Sequence, residues 1–346
     1  MKKRMAACLL AAVILCAAVP AAAVSYTDVP AGSWARDYIV GATEAGLFQG
    51  VEENVFGMGQ TMTRAQFVTA LCRLFGWEMI SPATPSFTDC ASFRWYYSAV
   101  ETALEHGAVP DYASAFRPDD PITREEMASM LVRALGYNAL AGRMSDASLP
   151  FSDVTSNRGY IALAYDMGLI TGQPDGTFQP GGSSTREQAA AILMRCYERL
   201  HTQSTEVDGD GYTLLTVETP APSAETTVPT TPLEPLDALY EVLRDARSSG
   251  ADLSQVAVVF SAGGVATVTS GSAVESSQTI SASQVERYLQ RDDVHTYYST
   301  VYACSYLTYT NGSRTTTVWY QSPESLQAKL ALCRLFGVTH YVLQDA

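Results

Sequence analysis

The sequence predicts an all-α unit built from three repeats, then a linker, then a small α/β domain whose topology the sequence does not fix. Two observations predict the helical unit. Three stretches, Tyr26 to Trp77, Phe87 to Tyr137 and Phe151 to Leu200, carry the same landmarks at a period of about 60 residues. Each also contains a Thr-Arg pair followed by apolar residues at helical spacing. A third observation predicts the second domain: from Leu236 onward, strand-like and helix-like segments alternate.

Each copy opens on an aromatic residue, a hydroxyl residue and an aspartate: Tyr26-Thr27-Asp28, Phe87-Thr88-Asp89 and Phe151-Ser152-Asp153. A helical pattern then ends at Gly46, Gly107 and Gly168. Phe56, Phe116 and Phe178 each precede a Thr-Arg pair by seven residues, at Thr63-Arg64, Thr123-Arg124 and Thr185-Arg186. Thr185 with Gln188 has capping-box spacing, so the threonine is expected to start a helix. Counting from that threonine, the stripe is Phe67, Ala70, Leu71, Leu74, Phe75 in the first copy. It is Met127, Met130, Leu131, Ala134, Leu135 in the second and Ala189, Ile192, Leu193, Cys196, Tyr197 in the third. A 3.6-residue period of this kind faces a shared core, which no copy can supply alone.

These residues carry a resemblance. The loop GQPDGTFQP with the STREQ that follows it, and MTRAQ and ITREE in the other copies, resemble the S-layer homology (SLH) domain. That module usually occurs three at a time in exported bacterial proteins. The resemblance implies a compact pseudo-threefold helical unit whose grooves bind secondary cell-wall polysaccharide, often bearing an acidic pyruvyl ketal.

Arg64, Arg124 and Arg186 each stand at the first position of a helix, where backbone N–H groups and the positive dipole end are expected to face outward. A guanidinium there can hold a carboxylate through two parallel hydrogen bonds. The other reading of the same arginines is pairing with an acid of their own or a neighbouring copy. The resemblance shifts weight to ligand contact, most for Arg64 and Arg124. Trp34 and Trp95 lie twelve residues before Gly46 and Gly107, whereas the third copy has Ser156 there. An aromatic face suits a sugar ring and equally suits a wedge between copies. The residues expected to meet the polysaccharide are therefore Arg64, Arg124, Arg186, Trp34, Trp95, Asp28, Asp89 and Asp153. The loops diverge, so the grooves are expected to be unequal.

In chain order, residues 1–23 read as a signal peptide: Lys2, Lys3 and Arg4, an apolar run, then Ala21-Ala22-Ala23. The copies follow at 24–80, 81–140 and 141–200. Residues 201–235 read as a linker, Pro/Thr-rich from Thr219, and 236–346 as the α/β domain. No later stretch is long and apolar enough to span a membrane. The net charge of −14 and the lack of a basic block past the leader argue against nucleic-acid binding. Cys72, Cys90, Cys196, Cys304 and Cys333 remain, an odd set without close pairs, which argues against a disulfide framework and a thiolate metal site. No cofactor is expected.

In the last domain, Leu236 to Ser248, Ser283 to Gln290 and Ser325 to Phe336 read as helices. Gln255 to Phe260, Val265 to Ser270, Val301 to Thr310, Thr315 to Tyr320 and Val338 to Leu343 read as strands, with a hairpin turn at Asn311-Gly312. The end of the chain weakly resembles the closing strand–helix–strand of glycoside hydrolase family 18 barrels, through Trp319-Tyr320, Ser325, Lys329 and Gly337. It departs at His340, where that family has glycine. The family's DxxDxDxE carboxylate cluster is absent. No two of Glu286, Asp292, Asp293, Glu324 and Asp345 form a recognisable catalytic pair. The expectation is thus a surface protein anchored non-covalently to wall polysaccharide, displaying a non-catalytic module that recognises peptide or glycan through Trp319, Tyr320 and the Tyr297/Tyr298 region. The alternatives are a wall-glycan hydrolase and an S-layer structural protein.

Overall fold

In the computed structural model, the described residues are 25–111, 113–217 and 234–345. The expected signal peptide and most of the Pro/Thr-rich stretch lie outside them.

The first part is helical: α1 (Arg36–Glu44), α2 (Arg64–Phe75), α3 (Tyr97–Glu105), α4 (Arg124–Ala134), α5 (Asn138–Arg143), α6 (Arg158–Asp166) and α7 (Arg186–His201). The Thr-Arg pairs start α2, α4 and α7. Thr63 accepts from the Gln66 N–H at 3.3 Å while Gln66 accepts from the Thr63 N–H at 3.0 Å, and Thr123 with Glu126 repeats the exchange at 3.2 and 3.0 Å. At the third start Gln188 accepts from Thr185 N–H at 3.1 Å. Most of the helical stripe is buried in every copy, Phe67, Leu71, Met127, Leu131, Ala189 and Leu193 completely, while Phe75, Ala134, Leu135 and Tyr197 at its far end are half-buried. Short α5, in the connector between copies two and three, breaks the repeat pattern.

The three copies close into a cycle through backbone alone. Ile122 N–H donates to Met62 O, Ser184 N–H to Ile122 O and Met62 N–H to Ser184 O, each at 2.9 Å. These residues precede the three threonines, so the helix starts gather around one point.

The second part holds β1 (Thr205–Glu206), β2 (Thr213–Thr216), α8 (Leu236–Ser248), β3 (Val256–Ser261), β4 (Gly264–Ser270), β5 (Ala273–Ile280), α9 (Ala282–Leu289), β6 (His295–Ser299), β7 (Cys304–Asn311), β8 (Arg314–Tyr320), α10 (Pro323–Phe336) and β9 (His340–Gln344). They form a parallel four-stranded sheet, β1-β9-β3-β2, and an antiparallel five-stranded one, β5-β4-β8-β7-β6. The antiparallel sheet is inserted between β3 and α10. Strands β1 and β2 arise from the stretch after copy three, which therefore feeds the parallel sheet.

Strands β5 and β6 are absent from the sequence expectation, because most of their residues are exposed and show no apolar alternation. Helix α9 starts at Ala282, one residue before the expected Ser283, and is capped by Ser281 with Gln284.

Core packing is continuous between the two parts. One cluster runs from the repeats through Tyr137 and Cys196 to Leu332, Cys333 and Phe336 of α10. A small second cluster lies beneath α9. The five cysteines are buried free thiols, and burial pushes Cys72, Cys90, Cys196 and Cys333 up to about 12 and Cys304 to about 11. Among the described residues no helix is long and apolar enough to cross a membrane.

Candidate functional site

The cycle repeats in the side chains. Arg64 of copy one donates from Nε to Phe116 O of copy two at 2.8 Å, and Arg124 of copy two to Phe178 O of copy three at 2.7 Å. Arg186 of copy three donates to Phe56 O of copy one at 3.0 Å. Each guanidinium also lies over the ring of that phenylalanine, 4.7–5.0 Å from its centroid. Their helix-start N–H groups are not free, which corrects the sequence-based picture of an open dipole end. Arg64, Arg124 and Arg186 donate from their backbone N–H to Asp120 O, Gly182 O and Gln60 O, each at 3.0 Å. The neighbouring loop consumes them.

The phenylalanine loops are held from within their own copies by the opening aspartates. Asp28 accepts from the N–H groups of Phe56, Gly57 and Met58 at 2.7–2.8 Å. Asp89 accepts from Phe116 and Arg117 at 2.8 and 2.7 Å, and Asp153 from Phe178 and Gln179 at 2.9 and 2.7 Å. Burial opposes charge at Asp28 and Asp89, yet the backbone donors outweigh it and hold both below the ordinary range. At Asp153 the Phe178 donor dominates, with the same result. These carboxylates hold loops in place, and their two oxygens already have partners.

Between the copies run three grooves, each assembled from all three. Groove 1 combines Gln49, Gln66 and Arg73 of copy one with Trp95 of copy two and Arg186 of copy three. Groove 3 combines Thr171, Gln188 and Arg195 of copy three with Trp34 of copy one and Arg124 of copy two. Trp34 and Trp95 are 58 and 64 % exposed, far more than a packing wedge would be. The floor approaches closely at Gly50 and Gly172. A Cβ there would stand 2.7 Å from two backbone oxygens at Gly50, and 2.3 Å from the Phe151 ring at Gly172. Arg186 Nη2 donates to Gln49 O and Arg124 Nη2 to Thr171 O, fixing each guanidinium against the groove wall.

Groove 2 has the same plan and different chemistry. It is lined by Glu126 and Arg133 of copy two, Arg64 of copy one and Asn157 of copy three. Glu126 replaces Gln66 and Gln188, and it pairs with Arg64 at 2.5 Å and Arg117 at 2.6 Å. Asp111 occupies the Gly50/Gly172 position and Ser156 the tryptophan position. Ser156 donates to Glu125 at 2.9 Å, and Asn157 also donates to that carboxylate. Burial lowers the pKa of all three guanidinium groups. Carboxylates oppose it at each, through the direct ion pair with Glu126 at Arg64 and through charge alone from Asp153 at Arg124 and from Asp28 and Glu187 at Arg186. Of the arginines picked from sequence, Arg124 and Arg186 thus stand in tryptophan-walled grooves and Arg64 in a neutralised one. Arg73, Arg133 and Arg195 escaped notice, although all three stand at one repeat position, ten residues after the threonine.

In the second part, Trp319 is 8 % exposed, packed against Tyr302 and Tyr306. This corrects its expected role as a recognition surface. Tyr297 is exposed and stacks on Tyr306, while Tyr298 and Tyr320 are half-buried. Asp293 is held by Arg291 at 2.8 Å, and Asp345 accepts from Ala282 N–H at 2.8 Å. Sequence reading also missed a buried polar cluster in which Lys329 donates to Gln321 at 2.8 Å and lies 3.6 Å from Glu234. Among the described residues no group of three or more His, Cys, Asp or Glu side chains could hold a metal ion.

Three copies that share a loop-and-helix plan, close on one another and leave grooves between them define a repeat-built module. The copies are S-layer homology domains: that family's model matches residues 25–68, 86–128 and 150–190. Similar proteins include an endoglucanase of Bacillus sp. (strain KSM-635), 34% identical over 49% of this chain and 18% of its own length. An amylopullulanase of Thermoanaerobacterium thermosulfurigenes is 32% identical over 48% of this chain and 9% of its own. An S-layer protein of Bacillus thuringiensis subsp. finitimus is 26% identical over 55% and 23%. The chain thus spans less than a quarter of the length of each of these relatives. The spore cortex-lytic enzyme SleL of Bacillus megaterium QM B1551 is similar at 20% identity, with a TM-score of 0.31 over 38% of this chain and 30% of that one.

Proposed function

We propose that the protein is an exported surface protein held non-covalently to a secondary cell-wall polysaccharide, through grooves 1 and 3 of its S-layer homology unit. The observation that carries this reading is the pairing of an exposed tryptophan with two arginines in each of those grooves: Trp95 with Arg186 and Arg73, Trp34 with Arg124 and Arg195. A ring face against the apolar side of a sugar and guanidinium groups against an acidic substituent such as a pyruvyl ketal are complementary chemistry. Groove 2 is read as closed to an acidic polymer, because Glu126 already neutralises Arg64 and no tryptophan is present. The aspartates Asp28, Asp89 and Asp153 support the site by holding the loops that present the phenylalanine carbonyls. The charged leader followed by an apolar run supports export, and the second domain is read as a displayed, non-catalytic module.

The test uses the chain without its leader and purified sacculi. Co-sedimentation should be lost when the secondary polymers are stripped. It should fall at least about tenfold in affinity, or ~1.4 kcal/mol, in a Trp34→Ala, Trp95→Ala double variant, and Arg64→Ala should bind as the parent does. Equal binding to stripped sacculi would defeat the polymer assignment.

A further inference from the structure

The two open grooves differ in what stands behind them. The acid two residues before the helix-ending glycine is Glu44 in copy one, Glu105 in copy two and Asp166 in copy three. Glu44 and Glu105 are exposed. Asp166 instead accepts a hydrogen bond from the hydroxyl of Tyr240, a fully buried side chain of α8. The glycines tell the same story independently. A Cβ on Gly46 or Gly107 would meet open space, while one on Gly168 would stand 2.6 Å from Arg247 of α8 and 3.1 Å from Arg199.

Arg199 completes the contact. From the last turns of α7 it donates to Met167 O at the end of α6 and to Leu335 O of α10. Met167 leads directly into Leu169 to Gly172, the wall of groove 3. Arg195, one turn earlier on α7, holds that wall by donating to Leu169 O at 3.2 Å. Helix α7 thus lines groove 3 with its first half and meets the second domain with its last turns. Among the described residues groove 1 has no counterpart, because its wall, Leu47 to Val51, follows a helix end whose Glu44 and Gly46 are exposed.

We propose that the C-terminal domain braces groove 3, so that Asp166, Tyr240 and Arg199 are positioning residues for the ligand bound there and not for the ligand in groove 1. This rests on reading the grooves as polysaccharide sites. By linkage, a ligand that selects the braced wall also tightens the docking of the second domain. A loop fixed in its bound geometry loses less freedom on binding, which is how a contact outside the groove changes affinity inside it.

Two measurements on the chain without its leader test the brace. The first needs no ligand. Leu169 and Ile170 N–H groups bond to Ala164 O, and the matching Leu47 and Phe48 N–H groups bond to Ala42 O. Tyr240→Phe removes the hydroxyl but keeps the ring. It should speed hydrogen exchange at Leu169 and Ile170 at least about threefold and leave Leu47 and Phe48 unchanged. Asp166→Asn, which keeps an acceptor oxygen, should restore most of the protection lost in Asp166→Ala. The second measures binding to sacculi one groove at a time. Tyr240→Phe should weaken binding several-fold in a Trp95→Ala background, where groove 3 remains, and not in a Trp34→Ala background, where groove 1 remains. Unchanged exchange at Leu169 and Ile170, or an equal binding loss in both backgrounds, would overturn the brace. Failure of every variant to bind sacculi would defeat the groove assignment instead, and the exchange data would still decide whether the wall is braced.

Discussion

Arg186 Nε donates to the carbonyl oxygen of Phe56 at 3.0 Å, joining residues 130 positions apart in the chain. It is one of the bonds by which copy three reaches back to copy one. The same side chain passes Nη2 to Gln49 O at 2.9 Å, so its planar fork serves two carbonyls of one loop at once. A lysine has one compact ammonium and cannot span both. Arg186→Lys should therefore destabilise the fold by about 2 kcal/mol, read as a lower urea midpoint with an unchanged slope. An unchanged midpoint would mean that the cycle is held by the backbone ring and core alone.

Acid should loosen the repeats through their aspartates. The carboxyls of Asp28, Asp89 and Asp153 lie below their ordinary value of 3.8 in the folded chain, so protons bind the unfolded chain more readily. Their contribution is complete above 3.8 and disappears as pH falls through the lowered folded values. The Tm gap between the parent and Asp28→Asn should be constant near neutrality and shrink below about pH 4. A gap independent of pH down to about 2 would show that the carboxylate charge contributes nothing.

Groove 2 can be reopened by design. Glu126→Gln keeps an acceptor for the Thr123 N–H, as Gln66 and Gln188 do in their copies, and releases Arg64 and Arg117. Because Arg64 is buried, losing its ion pair with Glu126 should cost about 1–3 kcal/mol, while the exposed Arg117 pair adds little. Glu126→Gln alone should not change wall binding, because Ser156 offers no ring. Combined with Ser156→Trp, it should raise retention on sacculi, and equal retention would refute the account of why groove 2 is closed.

The thiols should be silent in the native protein. All five are buried, with pKa values raised to about 11 or 12 by removal from water, so the reactive thiolate is scarce at neutral pH. A thiol reagent at pH 7.5 should label the chain without its leader only after denaturant is added. Rapid native labelling at any of them would contradict the packing described.

The repeats were legible because their landmarks are local: the capping threonines, the apolar stripes and the helix-ending glycines all act within a single copy. Groove chemistry was less so, because each groove draws on three copies and its parts lie far apart in sequence. The fate of Arg64 nevertheless had a readable sign. MTRAQ and STREQ carry glutamine where ITREE carries Glu126, the acid that pairs with Arg64. The second domain resisted for another reason. An inserted sheet with exposed strands leaves no apolar alternation in β5 or β6, and the partners of β1 and β2 lie more than a hundred or about forty residues downstream.

The ring of three backbone bonds among Met62, Ile122 and Ser184 also sets a limit on number. Solenoid repeats leave an unsatisfied face at each end and can grow by adding units, with terminal caps to stop them. Here the third copy uses the donor that a fourth would need, so the array terminates itself. Duplication of a single copy has no place to dock, and deletion of one strands a donor and an acceptor at the centre. Three is therefore the number that this geometry counts to, and the module is gained or lost as a whole.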